Sequence, residues 1–268
     1  MDYLRHWIES LKQKGYSTQN AAARVCQDII LKAIADGNLS KYVTIKGGVV
    51  MRSITGSIRR ATQDMDLDFI RYSLEDDSIR RFVSCLNCPE GIILRISAPI
   101  EKLSQQEYCG KRVHITISDN SGYTIRSKID FGVHKQLSIE QDEYCFDICM
   151  DDDGACLFIN SKEQIFAEKI RSLLRFGPLS TRYKDIFDLC YLSGHLNRDR
   201  LIQCLDTYIL SDPEMRENSI QDIRHRIHLT FRSRTYRQRL EQAGNANWLN
   251  MNVSDVCDRL EAYLEKIK

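Results

Sequence analysis

The stretch from Lys46 to Phe69, KGGVVMRSITGSIRRATQDMDLDF, limits the possible folds of this chain more than any other. An apolar strand, Tyr42 to Ile45, leads into a tight turn at Gly47-Gly48, then a short helix, a basic loop and a second strand beginning near Asp64. Side chains on a strand alternate faces at about 3.3 Å per residue. Asp64, Asp66 and Asp68 therefore share one face, and Met65, Leu67 and Phe69 share the other. Such a strand lies with one side against a core and presents carboxylates on the other.

Geometry limits which of the acids can act together. Two catalytic divalent cations sit roughly 3.5–4 Å apart. Neighbouring acids on one strand face lie about 6.6 Å apart at their Cα atoms, close enough to bracket such a pair, whereas Asp64 and Asp68 are about 13 Å apart. One of the three must stand outside. Glycine lets a phosphate approach the backbone, and the N-terminus of the following helix offers free N–H groups. Phosphates held there would meet cations at the loop end of the strand, which favours Asp64 and Asp66 and leaves Asp68 as a flanking charge. Each element alone has a plainer reading, since a D-x-D-x-D run can be the wet face of an antiparallel strand.

In its order of strand, Gly-Gly, helix and acidic strand, the stretch resembles the AbiEii-type (type IV toxin) nucleotidyltransferases, a branch of the polymerase-beta-like nucleotidyltransferase superfamily. The matching residues are Lys46-Gly47-Gly48, Arg52, Arg60-Ala61-Thr62 and Asp64-Met65-Asp66-Leu67, with later matches at Asp130, Ala167-Glu168-Lys169 and Arg182-Tyr183-Lys184-Asp185. The resemblance covers roughly residues 40 to 195. It implies an α/β (α+β) fold with a nucleotidyltransferase-type mixed sheet and flanking helices over residues 1–155. A helical domain over 156–268 follows, and the active-site cleft is expected between the two.

By the same resemblance, Asp64, Asp66 and Asp130 hold Mg²⁺ or Mn²⁺, and Lys169 and Asp185 join them in catalysis. Lys46, Gly47, Gly48, Arg52, Arg60, Thr62, Arg182 and Lys184 contact the nucleotide. The implied reaction moves a nucleoside monophosphate from an NTP to an acceptor such as RNA, with a tRNA 3′ end as one candidate, and an antitoxin protein is the implied partner. Two other functions stay open: a nucleotide-binding regulator without turnover, and a protein-modifying AMP- or UMP-transferase.

Composition narrows the classes. The chain has 268 residues, enough for one large or two smaller domains, and 43% of them are apolar, so a core can form. Lys and Arg number 38 against 37 Asp and Glu, a net charge of +1, so contact with a polyanion needs a local patch. There is no uninterrupted apolar run of membrane-spanning length, and the N-terminal stretch is amphipathic; a soluble, cytoplasmic protein without membrane contact is expected. The ten cysteines, Cys109 among them, are scattered and often sit in apolar patterns such as FDLCYL, which suggests buried thiols in a reducing compartment. Cys85-x-x-Cys88 lacks a partner pair with zinc-site spacing.

The remaining pattern sets the elements. Helices are expected at 1–14, with Leu4, Ile8 and Leu11 on one stripe, and at 18–36, with Thr18 as cap. A helix at 73–86 precedes β runs at Ile92–Pro99, Arg112–Ser118, Tyr123–Val133 and Tyr144–Ile148, and the Asn120-Ser121-Gly122 turn points to a hairpin. On that hairpin Arg126, Lys128 and Asp130 share a face, so Asp130 can reach Asp64 and Asp66 if the strands adjoin. From Ser161 the pattern turns helical, with Lys169 bordering the buried stripe, a place where a lysine ordinarily keeps its head in water. Asp185 and Asp188 are like charges three residues apart that need a cation, and Arg182 can supply one. Further helices are expected from Pro213 and after Ser254. Between them Arg224, Arg226, Arg232, Arg234, Arg237 and Arg239 interleave with Phe231 and Tyr236, which suits either single-stranded RNA or an ordinary solvated helix face.

Overall fold

The structure, a computed structural model, describes residues 2–37, 39–103 and 110–267; Cys109 lies outside them. The chain divides into two compact units, Met1–Asn160 and Ser161–Lys268.

The first unit is built on an eight-stranded mixed sheet. Helices α1 (Tyr3–Gln13) and α2 (Thr18–Asp36) come first, then β1 (Val43–Lys46), α3 (Gly47–Thr55), β2 (Met65–Phe69) and α4 (Asp76–Ser84). Six strands follow: β3 (Ile92–Ile96), β4 (Glu101–Leu103), β5 (Gly110–Asp119), β6 (Thr124–Val133), β7 (Asp142–Phe146) and β8 (Ala155–Ile159). The strand order is β3-β5-β6-β2-β1-β8-β7, and β4 pairs with β5. β2 runs antiparallel to β1 and parallel to β6, so the acidic strand lies at the centre of the sheet.

Local chemistry explains these elements. Met65, Leu67 and Phe69 are fully buried, as the alternation requires, and Phe69 packs against Phe82 and Phe131 with ring centroids 5.0 and 5.1 Å away. Burying three such side chains contributes roughly 1.5–3 kcal/mol each and fixes the register, because a one-residue slip would turn the carboxylates into the core. The hairpin forms where expected: β5 and β6 pair outward from Ser118 and Thr124, and Gly122 takes the left-handed φ of +81° that the turn needs. The Asp119 carboxylate accepts from Ser121 N–H at 3.0 Å and Leu4 N–H at 3.1 Å, which ties the turn to the start of α1.

Several expectations need correction. Ser17, not Thr18, caps α2: its hydroxyl accepts from Asn20 N–H at 3.3 Å while Thr18 is already helical. Strands β4 and β8 are not among the expected ones, although β8 directly follows the turn from Asp151 to Gly154. Cys145 and Cys156, expected as thiols, are joined in a disulfide; they are register partners across the β7–β8 ladder, which brings their Cα atoms to 3.9 Å.

The second unit is helical: α5 (Lys162–Phe176), α6 (Tyr183–Leu192), α7 (Arg198–Leu205) with a π-helical turn at Asp206–Leu210, α8 (Ile220–Arg232), α9 (Arg234–Glu241) and α10 (Val253–Glu265). Ser161 caps α5 by accepting from Gln164 N–H at 3.1 Å. No helix begins at Pro213; α8 starts after Ser219, whose hydroxyl accepts from Asp222 N–H at 3.1 Å. No helix among the described residues is long and apolar enough to cross a membrane.

Candidate functional site

In the first unit the chemistry gathers where β1 ends and α3 begins. β1 places Lys46 opposite Asp66 on β2, and the parallel β2–β6 pairing places Asp66 opposite Asp130. Adjacent strands lie about 4.8 Å apart, so these two carboxylates from distant parts of the sequence are immediate neighbours. The glycine turn closes over them. Gly47 has φ +66°, and a Cβ there would come within 2.3 Å of Asp66 Oδ2; a Cβ on Gly48 would come within 2.4 Å of the Thr62 hydroxyl. The Asp66 carboxylate and the Thr62 hydroxyl thus occupy the space that side chains at 47 and 48 would fill. Gly47 and Gly48 are also the first residues of α3, where backbone N–H groups lack intrahelical partners and favour anions.

The electrostatics follow from this crowding. Burial pushes the Asp66 carboxyl up to about 6 from an ordinary value of 3.8; Lys46 offsets part of the rise, and Asp130, Asp64 and Asp68 add to it. The flanking carboxylates have cations of their own. Arg112 on β5 donates through Nε to Asp130 Oδ1 at 2.8 Å and through a terminal nitrogen to Oδ2 at 2.7 Å. Lys128 on β6 lies 2.9 Å from Asp64, and Lys46 lies 2.6 Å from Asp68.

These contacts place Asp68, Asp64, Arg52 and Arg60 as follows. Asp68 is buried and fixes Lys46, the β1 register partner of Asp66. Asp64, just ahead of β2, has a 54% exposed side chain and turns toward Lys128 instead of closing a cage with Asp66 and Asp130. Among the described residues, no three His, Cys, Asp or Glu side chains are placed to hold one metal ion. Arg52, expected at the nucleotide, is 2% exposed and donates to Gln27 Oε1 at 2.7 Å and Asp28 Oδ1 at 3.4 Å. Gln27 in turn donates to the carbonyls of Thr62 at 3.0 Å and Asp64 at 3.3 Å, so Arg52 braces the loop that carries the site. Arg60, on a short 3-10 turn, is also buried, at 3% exposure.

Sequence reading gave α2 no role, yet it supplies Gln27 and Asp28. The signal was present in Arg24, Gln27 and Asp28, a polar stripe three and four residues apart inside an otherwise apolar helix; all three are buried. Arg24 Nε donates to Asp28 Oδ2 at 2.7 Å.

The second unit holds a separate polar cluster. Lys169 on α5 donates to Asp185 Oδ1 and lies 2.9 Å from Asp188 Oδ2, both on α6. Arg182 Nε sits 2.9 Å from the other Asp185 oxygen, and Trp248 Nε1 donates to Asp188 Oδ1 at 2.9 Å. One ammonium thus offsets two carboxylates that would otherwise repel, and Asp188 is fully buried. Lys184 is half-buried one residue before Asp185. Sequence reading missed Trp248, whose indole N–H is what satisfies the inner oxygen of Asp188.

In the arginine-rich stretch of α8 and α9 the two aromatic rings point into the core. Phe231 and Tyr236 are buried, at 2% and 0% exposure. Arg224 donates to the carbonyls of Leu264 at 2.8 Å, Glu265 at 3.2 Å and Ile267, so it caps α10. Arg226 pairs with Glu217 at 2.7 Å and donates to Leu174 O at 2.6 Å, and Arg237 donates to Ser254 at 3.2 Å.

Among solved structures, the chain is similar to the crystal structure of an antigenic nucleotidyltransferase-like protein from Paracoccidioides brasiliensis: 14% identity over 90% of this chain and 92% of the other, with a TM-score of 0.46. That likeness is too distant to bear on the site. No curated protein matches. The family model for the nucleotidyl transferase AbiEii toxin of type IV toxin–antitoxin systems matches residues 29–265, nearly the whole chain. This chain belongs to the AbiEii nucleotidyl transferase toxin family.

Proposed function

We propose that the chain transfers a nucleoside monophosphate from an NTP to an RNA acceptor, with a tRNA 3′ end as the leading candidate, and that Asp66 and Asp130 hold the divalent cation the reaction uses. The observation that carries this reading is the pairing of Asp66 with Asp130 across β2 and β6, directly beside Gly47. Two carboxylates fit Mg²⁺ or Mn²⁺, because Mg²⁺ is ordinarily bound by one or two carboxylates with waters and substrate phosphates filling the other positions. Burial first, and the neighbouring carboxylates second, hold the Asp66 carboxyl up, and a bound divalent ion would favour its ionised form. Bound there, the ion supplies Lewis-acid stabilisation of phosphoryl oxygens. Asp64 joins the set when its contact with Lys128 opens.

The other residues act by position and charge. Gly47 and Gly48 let the Asp66 carboxylate and the Thr62 hydroxyl come close against the α3 N-terminus, whose N–H groups favour anionic oxygens. Lys46, held by Asp68, places a positive charge at the same strand end, and the Thr62 hydroxyl over Gly48 can donate to a phosphate oxygen. In the transfer, an acceptor hydroxyl forms a bond to the α-phosphorus, the α–β anhydride bond breaks, and pyrophosphate leaves. In the second unit we assign Lys169, Asp185, Arg182 and Lys184 to substrate binding, with Asp185 orienting Lys169 and Arg182. An antitoxin partner follows from the family.

The test is to incubate the protein with each α-labelled NTP in turn, together with total tRNA and, separately, with total cellular protein. Labelled RNA in the presence of Mg²⁺, lost on chelation and lost in Asp66→Asn, is the expected result. Label on protein alone would replace the RNA acceptor with a protein one, and no label from any NTP would remove the transferase reading.

A further inference from the structure

One of the two carboxylates that would hold a divalent ion already has a cation on it. Arg112 engages both oxygens of Asp130, and its side chain is 28% exposed while that of Asp130 is 9% exposed. Arg112 is also the β5 register partner of Asp130, so the pair is built into the hairpin and is not a chance meeting of long side chains. A cation entering between Asp66 and Asp130 therefore meets a guanidinium bound to its ligand, and that guanidinium becomes a like charge a few ångströms away.

A triphosphate removes the conflict. A planar guanidinium matches two phosphate oxygens as well as it matches a carboxylate, and Arg112 is exposed enough to turn outward from its strand. We propose that Arg112 is a positioning residue that exchanges Asp130 for the triphosphate, so that the divalent cation and NTP bind synergistically and the cation alone binds weakly. This rests on the reading of Asp66 and Asp130 as cation ligands. Its physical content is a coupling free energy between two ligands, and linkage makes that coupling reciprocal.

The experiment titrates Mn²⁺ into the intact protein by calorimetry, with and without a saturating NTP analogue whose α–β bridge cannot be cleaved. For the unsubstituted protein, the analogue tightens Mn²⁺ binding by about tenfold or more, the scale of one charge-assisted hydrogen-bonded pair. Arg112→Gln binds Mn²⁺ alone about tenfold more tightly than the unsubstituted protein, and most of the enhancement by the analogue disappears. Arg112→Lys keeps the charge but loses the two-point grip, so it falls between; it carries the test if Arg112→Gln does not fold. Unchanged Mn²⁺ affinity and unchanged enhancement in both variants would overturn the exchange while leaving the cation site standing. If Asp66→Asn binds Mn²⁺ as the unsubstituted protein does, the cation site itself is wrong and the exchange falls with it.

Discussion

Replacing Asp66 by Asn should make the metal-free protein more stable while abolishing transfer. The Asp66 carboxyl lies at about 6, raised from 3.8 by burial and by Asp130, Asp64 and Asp68 in excess of what Lys46 offsets. An acid whose folded-state value is raised binds its proton more tightly in the folded protein. The stability this gives is fully present below the unfolded value and is lost as pH rises through about 6. A rise of roughly two units at about 1.4 kcal/mol each puts the cost of the ionised group at up to about 3 kcal/mol at pH 8. Asparagine has nearly the same shape and carries none of that cost. Urea unfolding in the presence of a chelator should therefore show Asp66→Asn more stable by about 1–3 kcal/mol at pH 8, with the gain shrinking toward pH 4.5. Mg²⁺ added together with an uncleavable NTP analogue should stabilise the unsubstituted protein more than it does the variant. A variant less stable at pH 8, or a difference that does not vary with pH, would refute the argument.

Other substitutions test the neighbouring contacts. Gly47→Ala places a Cβ within 2.3 Å of Asp66 Oδ2 at a φ of +66°, so transfer should fall at least tenfold at a stability cost of about 1–2 kcal/mol; unchanged turnover would mean the turn does not border the reacting phosphates. Asp68→Asn removes the carboxylate that fixes Lys46, and should raise the KM for NTP several-fold with the fold intact; an unaltered KM would return Asp68 to the role of a flanking charge. Lys169→Ala leaves Asp188 buried with one cation fewer, so it should cost about 3–5 kcal/mol in unfolding experiments and lower transfer several-fold or more. Lys169→Ala turnover equal to that of the unsubstituted protein would confine the cluster to holding α5 and α6 together.

What the sequence revealed and what it hid follow from the range of each signal. The β2 alternation, the hairpin turn and the Ser161 cap are local, and each formed as its few residues dictate. Pairing between strands is not local, which is why Asp130 could be tied to Asp66 only through family resemblance and why Arg112 went unseen. Yet the hairpin held the clue: counting outward from the turn along the pairing of Ser118 with Thr124 brings Arg112 opposite Asp130. Resemblance alone assigns Arg52 to the nucleotide, and no local pattern announces the polar side chain that holds it, some 25 residues earlier on α2. The α8 and α9 arginines misled because composition shows charge but not where it is spent; helix carbonyls and Glu217 take much of it. The β7–β8 disulfide shows the same limit, since Cys145 and Cys156 become neighbours only when the two strands pair.

The central claim is tested most directly by a crystal soaked with Mn²⁺ and an uncleavable NTP analogue and measured at the manganese edge. An anomalous peak bridging the carboxylates of Asp66 and Asp130, with the triphosphate against Gly47 and Gly48, is the predicted result. A nucleotide bound elsewhere, or manganese with neither Asp66 nor Asp130 among its ligands, would contradict it.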